Sequence, residues 1–249
     1  MNAEFEIGGK RYKVDMDNFH DLSIPVSTKE DQVNAYYARP VKMDPYKSGE
    51  FVGEVARGGS VNYRDISFNP HGNGTHTECV GHITEQVHSV NHHFQDHWQL
   101  AQLISCEPKA NSDGDLIVNI DDVNDIIGDG VTALIIRTLP NDESKLSRQY
   151  SGSNPPYLSD HFISKIVAAG IQHILVDLPS LDKEVDSGKL LGHKAFWFDE
   201  DEASMNRTIT ELIFVRNELE DGIYLLNLQV APFENDAAPS RPLIYPVLQ

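Results

Sequence analysis

The sequence predicts a single α/β domain, residues 1–249, built on a mixed sheet. Its 249 residues are long for one α/β domain but short for two. Two continuous apolar runs, Val131–Thr138 and Ile171–Leu178, flank a helical segment at the spacing of a β-α-β unit with strands buried on both faces. Further along, Thr208–Val215 and Ile223–Val230 flank Asp221-Gly222, which predicts an antiparallel hairpin. Parallel and antiparallel pairings together indicate a mixed sheet.

The first third of the chain is rich in turn residues and predicts only short strands. Glu4–Tyr12 carries a Gly8-Gly9 turn, and Leu22–Val26 and Phe51–Val55 are further apolar stretches of strand length. These segments are expected to add short strands to the predicted α/β core.

Two helices are expected in the second half of the chain. Ile120–Ile127 begins with acidic residues and is followed by Gly128, so it predicts a short helix. Ser159 can cap a longer helix that runs to Ala169, where Gly170 would end it. The second helix is the connection of the predicted β-α-β unit.

Composition and charge narrow the class of protein and its partners. Hydrophobic residues make up 40% of the chain and charged residues 23%, which are ordinary globular values. The 20 basic and 38 acidic residues give a net charge of −18, which would repel nucleic acid and anionic lipid. Two cysteines do not form a disulfide framework, and the start of the chain lacks a basic region followed by an apolar one. We therefore expect a cytoplasmic protein without nucleic-acid or membrane partners.

Histidines are concentrated in one part of the sequence. The chain has 11, and seven of them lie between His71 and His97. The segment 69–82 reads NPHGNGTHTECVGH and places His71, His76, Glu78 and His82 beside flexible glycines. Imidazole nitrogen and carboxylate oxygen are donors that Zn²⁺ and Mn²⁺ accept. The spacing therefore predicts a metal site, although it leaves open whether His82 is a ligand and names no reaction.

This segment resembles the signature of the cyclase family, which includes bacterial kynurenine formamidases and isatin hydrolases. The family signature is H-x-G-T-H-x-D-x-P-x-H, and Gly74-Thr75-His76 matches its central G-T-H. Glu78 stands at the aspartate position and His82 is the closing histidine. The first histidine of the signature falls on Gly72, so His71 would need a one-residue bulge to reach the same place, and Val80 replaces proline.

Other parts of the chain are similar to family motifs in the same order. They are His20–Val26 (HDLSIPV), Asp177–Asp182 (DLPSLD), His193, Glu211 within ITEL, and the tail Pro239–Leu243 (PSRPL). The resemblance therefore spans roughly residues 18–248.

The resemblance implies a swivelling β/α fold with a barrel-like core and a homo-oligomer, a dimer or a tetramer. It also implies a site with one or two Zn²⁺ or Mn²⁺ ions. The implied metal ligands are His71, His76, Glu78, His193 and Glu211, with the two glutamates bridging the ions or completing one site. His82 would then be the acid/base catalyst, because an unligated histidine titrates near neutral pH.

The implied activity is hydrolysis of a carbon–nitrogen amide bond in a small-molecule substrate, of the N-formyl-kynurenine type or an isatin-like cyclic amide. Two alternatives remain: a member that binds metal or a small molecule without turnover, which Gly72 would favour, and a lyase that stabilises an enolate. Residues that bind the substrate are not identified by the sequence. The remaining clustered histidines, His88, His92, His93 and His97, contain two i, i+4 pairs and could form a second metal-binding face, a polar wall or a subunit contact.

Overall fold

The computed structural model describes residues 1–120, 123 and 126–248. Half of the positions of the helix predicted over Ile120–Ile127 lie outside these residues. The strands are β1 Asn2–Ile7, β2 Lys10–Asp15, β3 His20–Asp21, β4 Lys42–Pro45, β5 Lys47–Ser48, β6 Phe51–Val52, β7 Arg64–Ser67, β8 His76–Glu78, β9 Trp98–Cys106, β10 Lys109–Ala110, β11 Leu116–Val118, β12 Ala133–Thr138, β13 Tyr157–Leu158, β14 His173–Val176, β15 Phe198–Asp199, β16 Glu202–Ala203, β17 Thr208–Glu211, β18 Gly222–Val230 and β19 Ala237–Leu248. The α-helices are α1 Val90–His93, α2 Asp160–Ala168 and α3 Leu191–Trp197, and short 3₁₀ turns cover Val55–Arg57, Val80–His82 and Glu143–Leu146. In the described part of the chain, every helix is too short or too polar to cross a bilayer.

Seven strands close into a barrel in the order β19-β18-β9-β12-β14-β17-β8, and β8 returns to β19. β9, β12, β14 and β17 run parallel to their neighbours in this set, whereas the other pairings are antiparallel. Closure depends on the length of β19, because Ser240–Pro246 pair with β18 while Ala237–Pro239 pair with β8. The sheet is therefore mixed, as the sequence predicts, and barrel-like, as the family resemblance implies.

Two apolar layers hold the barrel together, one inside it and one outside. Along β12 every residue is buried, and alternate side chains belong to different clusters. Ala133 and Ile135 lie in the interior cluster with side chains of β9, β14 and β18. Leu134 and Ile136 lie in the exterior cluster with the buried faces of α2 and α3. A strand buried on both faces needs a continuous apolar run, which β12 has.

The β-α-β unit is confirmed. β12 and β14 pair in parallel, and α2 lies between them in the chain. The Ser159 hydroxyl accepts a hydrogen bond from the Phe162 amide at 3.1 Å and so caps α2 as predicted. The Gly8-Gly9 turn also forms, because β1 and β2 pair across it.

The predicted hairpin of Thr208–Val215 and Ile223–Val230 is wrong. β17 pairs with β14 and β8, whereas β18 pairs with β9 and β19. After Glu211 the chain leaves the ladder, and Ile213 and Val215 are buried in the barrel interior. Their apolar character reflects this burial and not a strand that pairs across Asp221-Gly222.

Two of the short predicted strands are also shorter than expected. At Leu22–Val26 the structure has β3 just before it and an isolated bridge at Ser23, while Leu22 and Ile24 are buried. Phe51–Val55 is a strand only as far as Val52. In both segments the side chains pack against the body of the protein without a long ladder.

Candidate metal centre

Two neighbouring strands, β8 and β17, supply the centre of the predicted site. His76 lies opposite Glu211 in the antiparallel ladder, and Glu78 lies opposite Ile209. His76 and Glu78 are fully buried and Glu211 is 3% exposed. The His76 Nε2 atom is 3.4 Å from Glu211 Oε2 and 4.0 Å from Glu78 Oε2. The ladder therefore brings three potential ligands into one buried place.

His71 reaches this place from the loop before β8. A side chain at Gly72 would clash with Ala38 and with the Ala35 carbonyl, whose atoms would lie 2.4 and 2.7 Å from its Cβ. The Gly72 carbonyl in turn accepts a hydrogen bond from the Ala35 amide at 3.0 Å. Since this packing occupies the space beside Gly72, the neighbouring His71 enters the site, and its Nδ1 lies 3.0 Å from Glu78 Oε2.

His193 reaches the same carboxylates from α3. The Asp182 carboxylate accepts hydrogen bonds from the amides of Gly192 and His193 at 2.6 and 3.1 Å, and it also contacts His193 Nδ1. A Cβ at residue 192 would lie only 2.9 Å from Asp182 Oδ1, so glycine makes this approach possible. The opposite ring nitrogen, His193 Nε2, lies 3.2 Å from Glu78 Oε1.

His82 lies at the edge of the site and is more exposed than the other site histidines. Its side chain is 34% exposed, compared with 3% for His193. His82 Nδ1 is 3.2 Å from Asp236 Oδ2 and 3.9 Å from Glu78 Oε2. The structure thus brings all six site residues of the sequence analysis together, and it places His82 where solvent reaches it.

Asp236 is a member of the site that the sequence analysis missed. Its Oδ2 lies 2.9 Å from His71 Nε2 as well as 3.2 Å from His82 Nδ1. Asp236 precedes the tail motif by three positions, and no spacing rule connects it with histidines more than 150 residues earlier. Only the closure of the barrel by β19 brings it here.

The ionisable groups around Glu78 change one another's pKa values. Burial would raise the pKa of Glu78, but the imidazoles of His82, His193 and His71 hold that pKa well below its usual value. Burial and the charge of Glu78 raise the pKa of Glu211. The pKa of His193 rises to about 10 because Asp182 and Glu78 outweigh the effect of its burial. The site therefore favours positive charge beside Glu78.

Several buried atoms of the site lack hydrogen bonds within the described part of the chain: His76 Nε2, Glu78 Oε2 and Glu211 Oε1. Such atoms are costly to bury unless another group satisfies them. His71, His76 and Glu78 each offer a ligand atom within 4.8 Å of the others, and so do Glu78, His82 and His193. The donor set and the unsatisfied atoms fit a divalent cation of the Zn²⁺ or Mn²⁺ type.

Hydrogen bonds on the far side of the rings leave the inward nitrogens available. His76 Nδ1 lies 3.1 Å from the Gly74 carbonyl oxygen. A carbonyl oxygen can only accept a hydrogen bond, so Nδ1 must donate it. This contact assigns the proton to Nδ1 and the lone pair to Nε2, the atom that points at Glu211. Such outer acceptors are typical of histidines that bind metals.

A cavity of about 330 Å³ opens beside the cluster. His71, His82, His193 and Glu211 contribute to its wall, together with Tyr36. The volume is in the range of small-molecule sites. The cluster is therefore open to a small ligand on one side.

The second histidine segment, residues 88–97, does not form a shared helix face. α1 covers only Val90–His93, so the i, i+4 pairs of the sequence analysis do not lie on one helix. His92 is exposed and its Nε2 lies 3.2 Å from Glu234 Oε2, while His97 Nδ1 lies 3.2 Å from the Leu228 carbonyl. His92 and His97 therefore have separate partners, whereas the His88 and His93 rings contact each other edge-on with centroids 5.3 Å apart.

Comparison with known proteins identifies the family of this chain. The profile of the Cyclase family matches residues 20–183, about two thirds of the chain. The chain belongs to the Cyclase family. A search of curated proteins found no match.

Solved structures with the Cyclase-family fold superpose on nearly the whole chain. A potential metal-dependent hydrolase with cyclase activity has a TM-score of 0.62 at 14% identity, covering 92% of this chain and 97% of that one. Isatin hydrolase A from Labrenzia aggregata, bound to benzyl benzoate, has 0.63 at 13% identity, covering 92% and 93%. Isatin hydrolase A from Ralstonia solanacearum has 0.60 at 13% identity, covering 92% and 91%. At these identities the likeness establishes the fold, so the chemistry has to be argued from the residues.

Proposed function

We propose that this chain is a metal-dependent hydrolase that cleaves a carbon–nitrogen amide bond, with arylformamidase-like activity on substrates of the N-formyl-kynurenine type. The observation that carries the proposal is the set of buried, unsatisfied atoms on His76, Glu78 and Glu211 beside a cavity of about 330 Å³. A structural polar cluster would satisfy its own atoms, whereas a metal site needs free lone pairs that face one point.

The residues divide into two groups around Glu78. His71, His76 and Glu78 would hold one ion, and Glu78, His193 and Glu211 would hold a second, with Glu78 shared between them. A bound Zn²⁺ or Mn²⁺ would polarise the amide carbonyl and lower the pKa of water beside it.

His82 is the acid/base residue in this proposal. Its ring lines the cavity, and its Nδ1 faces Asp236, so Nε2 is left to exchange a proton with the substrate. Hydrolysis of an amide requires a proton on the leaving nitrogen, which His82 can supply from Nε2 after Nε2 has taken a proton from the attacking water. Partial exposure of its ring suits this exchange, because the fully buried His76 has no comparable access.

The cavity and the family relatives support a small aromatic amide as the substrate. Tyr36 contributes an aromatic wall, and its hydroxyl is anchored on the Pro179 carbonyl at 3.2 Å. The isatin hydrolases among the similar structures favour a cyclic aromatic amide as the second candidate. Both candidates are cleaved at a carbon–nitrogen bond next to a carbonyl.

The test is an assay of N-formyl-kynurenine and of isatin with metal-loaded, chelator-treated and variant protein. Chelation should abolish turnover, and Zn²⁺ or Mn²⁺ should restore it. His82→Ala should lower kcat by about 10²- to 10⁴-fold without loss of bound metal. His161→Ala, which changes an exposed histidine on α2, is the matched control and should retain full activity.

Several results would separate the proposal from its alternatives. Turnover that survives complete metal removal, or that is unchanged in His82→Ala, contradicts the mechanism. Ring opening of isatin without hydrolysis of the formamide would favour the cyclic-amide substrate. Metal binding at full occupancy with neither activity would favour a binding protein, whereas a product formed without uptake of water would indicate a lyase.

A further inference from the structure

We propose that Asp236 is a positioning residue that fixes the ring orientation and tautomer of two histidines at once, His71 and His82. This inference rests on the proposed function for the roles of these histidines as metal ligand and acid/base residue. It adds a carboxylate that holds both, although Asp236 itself is absent from the wall of the substrate cavity as described.

A single oxygen of Asp236 faces both rings. Oδ2 lies 2.9 Å from His71 Nε2 and 3.2 Å from His82 Nδ1, and both contacts have hydrogen-bond geometry. The two ring centroids are 4.3 Å apart and the rings are tilted by 31°, so the two imidazoles pack against each other beside this oxygen. An ionised carboxylate only accepts hydrogen bonds, so each ring must present an N–H to it.

For His71 the consequence is a defined metal-binding atom. With one proton held at Nε2, the atom that His71 would offer to a metal is Nδ1, which lies 3.0 Å from Glu78 Oε2. The Gly74 carbonyl and Asp182 make the same kind of contact with the outer nitrogens of His76 and His193. Asp236 completes this set, so that each of the three histidines proposed as ligands has its own acceptor.

For His82 the consequence is a defined catalytic atom. The hydrogen bond to Asp236 holds the proton at Nδ1 and leaves the Nε2 lone pair for the substrate. A ring without this partner could adopt either tautomer and several orientations, because its side chain is 34% exposed. Asp236 therefore acts on the reaction through His82.

The backbone keeps Asp236 in register with the ligand strand. Its carbonyl accepts a hydrogen bond from the Cys79 amide at 3.0 Å, and the next residue, Ala237, lies opposite Glu78 in the β8–β19 ladder. The carboxylate thus has a fixed distance from both histidines. Its pKa lies below its usual value because His71 and His82 donate hydrogen bonds to it.

The first test reads the tautomers directly by ¹⁵N NMR of histidine side chains, with and without Zn²⁺ and without substrate. The wild type should show His82 protonated at Nδ1, with its signals assigned by comparison with His82→Gln. Asp236→Leu should shift His82 toward the Nε2–H tautomer, whereas Asp236→Asn, which retains an acceptor oxygen, should keep the wild-type tautomer. Glu234→Gln is the matched control, because Glu234 lies two residues away and contacts the exposed His92.

The second test measures metal affinity and the separate kinetic constants. Loss of such an outer carboxylate should weaken metal binding by about 10- to 100-fold, measured by competition with a chromogenic chelator. For the amide substrate kcat should fall by a similar factor while KM stays within about twofold, since Asp236 is outside the cavity wall. Asp236→Asn should lie between wild type and Asp236→Leu.

The inference is overturned if Asp236→Leu leaves the His82 tautomer unchanged, or if Asp236→Asn, which retains an acceptor oxygen, does not keep the wild-type tautomer. The second outcome decides the matter even if Asp236→Leu fails to fold. Should no amide be hydrolysed by any form of the protein, the proposed function fails, yet the tautomers and the metal affinity still test Asp236.

Discussion

The ligand segment, residues 69–82, and the second histidine segment, residues 88–97, lie close together in the sequence, and both are rich in histidine. In the first, His71, His76 and His82 converge on Glu78, a buried carboxylate. In the second, His92 is exposed beside Glu234 and His97 contacts the Leu228 carbonyl, so these two rings have separate partners. The difference shows that density of histidine does not make a metal site. The first segment differs because several of its rings share one buried acid, Glu78. One oxygen of this acid, Oε2, has no hydrogen bond within the described residues.

The second segment contributes to the fold instead. Val90 and Phe94 belong to the interior cluster of the barrel and are 0% and 4% exposed. The Phe94 ring packs edge-on against His97 and His173, with centroid distances of 5.0 and 5.5 Å. This segment therefore covers one end of the barrel with apolar side chains, and its histidines lie around them.

One alanine substitution in each segment tests this difference most directly. His76→Ala removes a fully buried donor of the cluster and should abolish bound metal and amide hydrolysis. The loss of metal affinity should be larger than the loss of about 10- to 100-fold expected for Asp236→Leu, because His76→Ala removes a ligand itself. His92→Ala changes an exposed ring and should leave both properties as in wild type. Metal content by mass spectrometry together with the amide assay measures this contrast.

If His92→Ala lost metal as His76→Ala does, the second segment would be part of the centre and the contrast between the two regions would be wrong. If His76→Ala kept its metal, the buried cluster would have another function. Circular dichroism of both variants excludes loss of fold as the cause.

A substitution in the second histidine segment should lower stability and leave metal binding unchanged. Phe94→Ala should lower the free energy of unfolding by about 3–5 kcal/mol, because it removes a buried ring from the end of the barrel. Metal content per folded chain should not change, since the histidine rings that Phe94 packs against, His97 and His173, are not among the proposed ligands. Urea denaturation and metal analysis of the same sample check both statements. A variant of normal stability that lost its metal would reverse the roles of the two segments.

Sequence reasoning recovers the parts of this molecule that depend on local order. The β-α-β unit follows from two apolar runs and the cap at Ser159, since these signals lie within one short stretch. The cluster of His71, His76, Glu78 and His82 also follows from spacing, and His193 and Glu211 follow from family resemblance. The site residues in the sequence analysis are the ones the structure brings together.

What the sequence does not reveal depends on contacts between distant segments. The hairpin across Asp221-Gly222 fails because β17 and β18 take other partners when the barrel closes. Asp236 is invisible in the pattern because β19 carries it to His71 and His82 from more than 150 residues away. Gly72, which departs from the family signature, has its explanation only in the packing of Ala35 and Ala38 against it.

The smallest expected effect concerns His173 on β14, a buried histidine whose side-chain hydrogen-bond partner is a hydroxyl and not a carboxylate. It is 3% exposed, its Nδ1 lies 2.8 Å from Thr208 Oγ1, and burial lowers its pKa to about 4 while Asp96 opposes this slightly. The unfolded chain protonates His173 below about pH 6.5, whereas the folded chain does not until about pH 4. Its contribution to stability is therefore fully present above pH 6.5 and is lost as the pH falls toward 4, up to about 3 kcal/mol.

His173→Gln keeps a polar side chain for Thr208 but does not titrate, so it isolates this term. In urea denaturation with chelator present, wild type should lose up to about 3 kcal/mol more than the variant between pH 7 and pH 4. Parallel stability curves for the two proteins would contradict the prediction. The burial that lowers the pKa of His173 is opposed in His71 and His193 by carboxylates, which raise the pKa of each to about 10. The pH effect at His173 thus measures what burial alone does to a histidine of this barrel, for comparison with His71 and His193.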